Sequence, residues 1–373
     1  MIRVLEVIRQ GQIGGGESHL LDLIHFLDKE KIEPICLSFT DGEMIRHLTE
    51  KGIECHIIKT DKPFDLRIQK QIIQLIIDKG IQIIHAHGSR AASNLIFPIN
   101  ILKKPFIYTV HGWSFHDDQN FITKKVRALS EKLICHYANQ VICVSKSNRD
   151  TGRNLFGLKN AIVIENGVNL DRFNPDYHFE NLRKEFDFSK KDFIVGFVAR
   201  CTKQKAPLVF LKSLIKAHEN DPMIKGLFVG EGDMDLEVNA FIEKNHMESY
   251  LYRSAFRTDI PEILNAIDIY CLPSLWEGLS IALLEAMAMK KAIIATPTDG
   301  TSELLHNEEN GLIIPFNDVD ALADSITVLA KSPQKCSMYG NSARLLIENR
   351  FNAKLVADKV MQLYYQVISN YCH

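Results

Sequence analysis

The feature that most constrains this chain is an alternation that occurs twice: short apolar runs, each followed by a longer stretch with helical spacing. The runs VLEVI, EPICLSF, GIECHII, IQIIHAH, PFIYTVH, QVICVS and AIVIEN have the length and residue content of strands. Between them, residues 17–28, 43–51, 66–79, 89–102 and 122–138 place apolar residues at helical intervals. Such alternation predicts a parallel sheet covered by helices. The series ends at the turn-forming Asn166-Gly167-Val168-Asn169, and a polar stretch follows through Lys191. A second series then runs through DFIVGFVAR, GLFVGEG, LYRSAF, DIYCLPS, AIIATP and GLIIPF, with helical patterns at 206–219, 233–245, 259–266, 279–289, 301–306 and 318–330. The tail, 335–370, reads as helix. The expected fold class is α/β, with two facing Rossmann-like domains at 1–168 and 169–351. A C-terminal helix at about 352–373 crosses back to the first domain. Ligands of such sheets bind beyond the carboxyl ends of the strands, so facing domains place them in an interdomain cleft. A hinge is expected near Asn166–Asn169 and at the returning helix.

A length of 373 residues suits two domains, and 46% apolar with 24% charged residues excludes collagen-like, low-complexity and disordered chains. No uninterrupted apolar run reaches the ~18–20 residues of a membrane span, and the best candidate, Ala91–Leu102, stops at Lys103-Lys104. Arg3, Glu6 and Arg9 interrupt the first ten residues, which read as a buried strand rather than an export signal. The eight cysteines, at 36, 55, 135, 143, 201, 271, 336 and 372, form no Cys-x-x-Cys pair, and several sit in apolar runs. Reduced thiols in a cytoplasmic protein are expected, with neither a disulfide framework nor a cysteine zinc site. A net charge of −2 gives no case for nucleic acid. Residues 1–165 carry 22 Lys+Arg against 18 Asp+Glu, and the remainder 22 against 28. Either this is drift between domains, or the first half faces anionic lipid or an anionic acceptor.

Three segments carry chemistry. Gly11-Gln12-Ile13-Gly14-Gly15-Gly16-Glu17-Ser18 follows the first strand and opens a helix. Glycines admit a ligand to the backbone, and the helix start offers free N–H groups to an anion. The spacing departs from Gly-x-Gly-x-x-Gly, so a dinucleotide site is not expected. Arg200 ends the run FIVGFVA and Lys205 follows five residues later, a pair of cations suited to a diphosphate. In PSLWEGLSIALLEAMAM, Glu277 precedes a helix that begins near Leu279-Ser280, and Glu285 lies in its second turn. Both carboxylates can accept from sugar or ribose hydroxyls. The N–H groups of Gly278, Leu279 and Ser280 sit at the positive helix end. Glu285 interrupts an apolar sequence in which a buried carboxylate needs a partner.

Two further sets could hold a metal. Asp233-Met234-Asp235 and Asp318-Val319-Asp320 have an Asp-x-Asp form, but each follows a turn and opens a helix, where aspartate is expected as a cap. His85-Ala86-His87 ends a strand. The two rings are expected to point to opposite faces, leaving one to line the cleft rather than both to bind metal.

With the Gly-rich loop, Thr109-Val110-His111, NGVNLDRF at 166–173, Arg200/Lys205 and Glu277/Glu285, essentially the whole chain resembles a retaining GT-B glycosyltransferase of the family 4 type. The resemblance implies that Arg200 and Lys205 hold the diphosphate of a nucleotide-sugar. It gives the ribose hydroxyls to Glu285 and the hydroxyls of the transferred sugar to Glu277. Gly15 and Gly16 would approach the phosphate, and His111 would lie beside sugar and acceptor. No metal and no cofactor are expected, since the nucleotide-sugar is a substrate. The sequence departs from the family pattern at Ala199, Ala255, Lys290-Lys291 and Asp299, the last near the donor sugar. The implied activity is transfer, with retention, from a nucleotide-diphosphate sugar, by default a UDP-sugar, to a glycan or lipid-linked hydroxyl in bacterial cell-surface polysaccharide synthesis. A nucleotide-sugar epimerase of the same architecture and a non-catalytic nucleotide-sugar-binding subunit are the alternatives. Lys103-Lys104 with Lys124, Lys125 and Arg127 suggest peripheral contact with the inner face of a membrane, against the alternative of a solvated basic face.

Overall fold

The computed structural model describes residues 1–115 and 119–371. The chain divides into two units: Met1–Gly167 together with the segment from Ala353 onward, and Val168–Asn352.

The first unit holds a seven-stranded sheet. Its strands are β1 (Ile2–Ile8), β2 (Ile32–Ser38), β3 (Glu54–Ile57), β4 (Ile83–His87), β5 (Phe106–Val110), β6 (Gln140–Cys143) and β7 (Ala161–Val163), in the order 3-2-1-4-5-6-7. The second unit holds six: β8 (Phe193–Val198), β9 (Ile224–Val229), β10 (Leu251–Ser254), β11 (Ile269–Leu272), β12 (Ala292–Ala295) and β13 (Gly311–Ile313), in the order 10-9-8-11-12-13. All neighbours are parallel. The order reverses between β1 and β4 and between β8 and β11. Each reversal opens a crevice at the carboxyl edge, where a doubly wound sheet binds its ligand.

Strand assignments from the apolar runs hold, whereas helix boundaries differ in several places, among them 301–306, where the helix is Asp299–Ser302, and the polar stretch, which holds a short helix at Leu182–Glu185. Residues 89–102 form two helices, Ser89–Ser93 and Ile96–Leu102. The buried Asn94 between them accepts from the Asp65 N–H at 2.7 Å and donates to the Lys62 and Arg90 carbonyls. A side chain that bonds backbone in this way competes with the helix. A helix at Lys146–Phe156, absent from the apolar pattern, is set by its ends: Ser145 Oγ accepts from the Asn148 N–H at 3.1 Å, and Gly157 closes it at φ +69°. The tail is two helices, Pro333–Arg350 and Ala353–Tyr371. They part at Phe351-Asn352, where the Val168 N–H donates to the Phe351 carbonyl at 2.8 Å. A Cβ on Gly167 would stand 2.6 Å from Ala353 Cα, so outgoing and returning segments pass closer than any side chain permits.

The returning helix belongs to the core of the first unit. Val356, Ala357, Val360, Leu363, Tyr364 and Val367 form one stripe at helical spacing and pack on Val4, Ile83, Ile107 and Ile142 of the sheet. In the second unit, the tilted rings of Phe197, Phe210 and Phe228 pack together within a core that includes Leu214. The seven described cysteines are free thiols; Cys372 lies outside the described residues. Among the described residues, no helix is long and apolar enough to cross a membrane. Leu214 is fully buried, and Leu214→Ala should cost the second unit about 2–5 kcal/mol in chemical denaturation. A cost below 1 kcal/mol would mean that this core collapses around the loss.

Candidate functional site

In the second unit the expected residues gather at the carboxyl edge beside the reversal point. Arg200 follows β8 and is exposed, with no ion pair among the described residues. Lys205 ends a short 3-10 turn, Lys203–Lys205, and is buried. Its ammonium does not stand free: it is ion-paired with Glu277, whose Oε1 also accepts from Ser274 Oγ at 2.8 Å. Gln204 donates to the Trp276 carbonyl at 2.8 Å, and the Leu275 N–H donates to the Gln204 carbonyl at 2.8 Å. Residues 203–205 and 274–277 thus form one hydrogen-bonded body.

The helix Ile281–Ala288 opens beyond it with Ser280 as its cap, the Oγ accepting from the Leu283 N–H at 3.4 Å. Glu285 lies in its second turn, as the spacing predicts. It is only half-buried, because it sits on the flank of the helix rather than on its core face; the expectation of a buried carboxylate is corrected here. Burial raises the pKa of Tyr270, on β11, well above the ordinary phenol value, and both Glu277 and Glu285 add to the rise. The two glutamates therefore act on one locality. Gly278 is fixed by contact: a Cβ on Gly300 would stand 1.7 Å from the Gly278 carbonyl oxygen. The Asp299 substitution spares this contact, since Asp299 is exposed and Gly300 keeps the close approach.

In the first unit, the Gly-rich loop leads into the helix Gly15–Phe26. Gly11 serves packing: its Cβ would stand 2.6 Å from the Thr40 carbonyl oxygen. Gly15 is exposed, and Gly16 faces the His111 ring, its would-be Cβ 3.6 Å from Cδ2. His111 lies one residue beyond β5 and is one end of a network that the sequence did not reveal. Its Nε2 stands 3.2 Å from His87 Nδ1, and His87 Nε2 stands 3.0 Å from the Glu6 carboxylate. Tyr364 donates to Glu6 at 2.6 Å, His85 Nδ1 meets the Tyr364 hydroxyl at 2.7 Å, and His85 Nε2 meets Thr109 Oγ1 at 2.7 Å. His85 and His87 thus share a face, contrary to the expectation of opposite faces. Side chains alternate along a strand, so residues two apart point the same way.

Burial pushes the Glu6 carboxyl toward protonation, but His85 and His87 outweigh it and hold the pKa well below the usual carboxylate range. Burial, then the neighbouring rings His87 and His85, lower His19 to about 3; burial, then His85, lowers His87 to about 4. Burial also holds His111 well below the ordinary value, with His19, His87 and His85 acting in the same sense and Asn166 opposing. The anionic Glu6 requires N–H at His87 Nε2, so neutral His87 offers a lone pair at Nδ1 to His111 Nε2–H. Glu6, Tyr364, His19, Ser274 and Gln204 join the site only through tertiary contact. A Glu within an apolar first strand was the one available signal.

Of the two aspartate pairs, the one at Asp318 caps its helix as expected, whereas the helix Asp235–Lys244 has no side-chain cap. Asp235 accepts from the Gly232 N–H at 3.1 Å and pairs with Arg253 at 2.5 Å. Asp318 caps the helix Val319–Ala330 by accepting from the Ala321 N–H at 2.9 Å, and Asp320 pairs with Lys216.

The family model for Glycosyltransferase Family 4 matches residues 13–172, and that for Glycosyl transferases group 1 matches residues 178–346. The UDP-Gal:alpha-D-GlcNAc-diphosphoundecaprenol alpha-1,3-galactosyltransferase of Escherichia coli is 28% identical over 321 residues, covering 82% of this chain and 81% of that one. The N,N'-diacetylbacillosaminyl-diphospho-undecaprenol alpha-1,3-N-acetylgalactosaminyltransferase of Campylobacter jejuni is 30% identical over 269 residues, 69% of each chain. Anabaena HepE in complex with UDP-glucose superposes with a TM-score of 0.86 at 20% identity, over 98% of this chain and 100% of that one. The two sheets and their connectivity are those of a GT-B glycosyltransferase. The chain belongs to glycosyltransferase family 4.

The Lys205–Glu277 pair sets a measurable constraint. Removing one partner of a buried pair leaves a charge without compensation, at a cost of about 3–5 kcal/mol. Glu277→Ala should lower the stability of the second unit on that scale, and Lys205→Met/Glu277→Leu should cost less. Additive losses in a double-mutant cycle would mean that the pair is uncoupled.

Proposed function

We propose that the enzyme moves a hexosyl residue from a UDP-sugar to a hydroxyl of a lipid-linked or polysaccharide acceptor, in building a bacterial cell-surface glycan, with retention of anomeric configuration. The observation that carries this reading is an exposed Arg200, without an ion pair among the described residues, beside the Lys205–Glu277 body at the carboxyl edge of the second sheet. An open guanidinium suits a diphosphate. Lys205 adds a second cation to the developing phosphate charge and holds Glu277 toward the sugar hydroxyls. Glu285 takes the ribose, and the N–H groups of Gly278, Leu279 and Ser280 face the donor. The acceptor belongs to the first unit, where His111 and the exposed Gly15 and half-buried Gly16 stand at the carboxyl edge. The acceptor oxygen bonds to the anomeric carbon as the bond from that carbon to the diphosphate oxygen breaks. The hydroxyl proton passes to the leaving diphosphate, and His111 orients the acceptor. No metal takes part in this step, because Arg200, Lys205 and the helix end supply the charge. Supporting the donor and acceptor classes, the Escherichia coli relative is named for UDP-Gal and a diphosphoundecaprenol-linked sugar, and HepE was solved with UDP-glucose.

A panel of UDP-sugars incubated with a short-chain prenyl-diphosphate sugar, with chelator present, tests the reading. The expected product is UDP and a glycoside of unchanged anomeric configuration by NMR. Arg200→Ala should lose about 2–4 kcal/mol of transition-state stabilisation in kcat/KM. Free epimerised nucleotide-sugar without acceptor, or strict dependence on a divalent ion, would overturn it.

We assign the enzyme a peripheral contact with anionic lipid through the helix Phe121–Tyr137. Phe121, Ile122, Val126, Leu129 and Leu133 are 42–73% exposed on this helix, interspersed with Lys124, Lys125, Arg127 and Lys132. Phe97 and Ile101, ahead of Lys103-Lys104, are about half exposed too. Each such cation contributes ~1 kcal/mol near an anionic surface, and the apolar side chains add burial in the interface. Sedimentation with anionic vesicles at low salt is expected, with loss in Ile122→Asp/Leu129→Asp. Equal recovery of both proteins in the supernatant would exclude the contact.

A further inference from the structure

We infer that His19, His87 and His111 form a binding site for a divalent transition-metal ion of the zinc type, and that filling it arrests the transferase. The first clause stands on geometry alone; the second rests on the role given to His111 above. One ring nitrogen from each residue lies within 4.8 Å of the others. His87 Nδ1 and His111 Nε2 are 3.2 Å apart. Tetrahedral ligands at about 2.0–2.1 Å from zinc stand about 3.3 Å from one another, so two of the three nitrogens already have the required separation. His19 brings the third nitrogen from the helix Gly15–Phe26. Its ring centroid is 5.0 Å from that of His111 and 5.7 Å from that of His87.

The support behind the ligands has the form that metal sites use. A ligating imidazole commonly turns its other nitrogen to a carboxylate, which fixes the ring and strengthens the donor. His87 does this: its Nε2 meets Glu6 at 3.0 Å, and Glu6 is itself held by Tyr364 and His85. Three imidazoles and no oxygen donor favour zinc, cobalt or copper over magnesium or calcium. His111 is half-buried rather than sealed, so an ion can enter and retain an open fourth position. The neighbouring group Glu6, His85 and His87 is fully buried and satisfied by its own hydrogen bonds, and offers no such opening. A metal spanning His87 and His111 replaces their mutual hydrogen bond and removes His111 from the acceptor.

Chelator-stripped full-length protein titrated with Zn²⁺ by calorimetry, and with Co²⁺ by visible absorption, tests the site. The expected results are one ion per chain, tetrahedral cobalt bands, no competition from Mg²⁺, and at least tenfold weaker binding in His87→Ala and His111→Ala. Glu6→Gln, which leaves all three ligands in place, should weaken binding about 10–100-fold. Circular dichroism of each variant separates lost ligands from lost fold, and His111→Ala, at the open end, serves where His87→Ala does not fold. No uptake by the wild type, or uptake unchanged in His111→Ala and Glu6→Gln, would overturn the site. Zn²⁺ should also abolish sugar transfer, and chelator should restore it. Binding with undiminished transfer would overturn the arrest and leave the site. If no transfer is found with any donor, the functional reading fails while the binding titration still decides the site.

Discussion

Much of the first unit depends on keeping one carboxylate ionised in a dry place. Glu6 lies at the middle of the sheet, fully buried, on the strand where the order reverses. An anion there is tolerated only with donors on every side. Those donors come from two elements: His85 and His87 from the adjacent β4, and Tyr364 from the last helix of the chain. The requirement fixes the register of the returning helix on the sheet more tightly than its apolar stripe does, because a hydroxyl must arrive at one atom. It also ties the core to the carboxyl edge, since His87 meets Glu6 through Nε2 and His111 through Nδ1.

The second unit reaches a similar end by different means. Its edge is organised by contacts too short for side chains and by one buried ion pair. Gly300 lies against the Gly278 carbonyl, so the loop ahead of the helix Ile281–Ala288 has a single course. Lys205 and Glu277 then join that loop to the turn after β8. Arg200, left outside this arrangement, is exposed and available. The edge thus combines a hydrogen-bonded body, residues 203–205 and 274–277, with one exposed guanidinium at its margin.

Alternation of apolar runs and helical spacing made both sheets legible, because parallel strands buried on two faces must be apolar along their length. Arg200, Lys205, Glu277 and Glu285 were legible through local spacing at helix starts and strand ends. What sequence could not supply was partnership. Lys205 and Glu277 are 72 positions apart and read as separate ligand groups, yet they hold each other. Glu6 and Tyr364 are separated by 358 positions. His85 and His87 were misread by a wrong parity, which the strand geometry reverses. The helix Lys146–Phe156 escaped notice because its sequence is polar and its signal lay in its caps, Ser145 and Gly157.

The return of the last helix to the first sheet also bears on how the protein is made. Between Gly167 and Ala353 the ribosome must synthesise the whole second unit. At about 5–20 residues per second, the first sheet waits roughly 10–40 s for the segment carrying Val356, Val360 and Tyr364. Through that interval, the patch of β1, β4, β5 and β6 that the helix will cover lacks that cover, and Glu6 lacks the hydroxyl that completes its shell. The second unit, contiguous in sequence, has no such delay and can close as it emerges. The last element of the first unit is therefore delivered only after every residue of the second, the reverse of the order in which the two units begin.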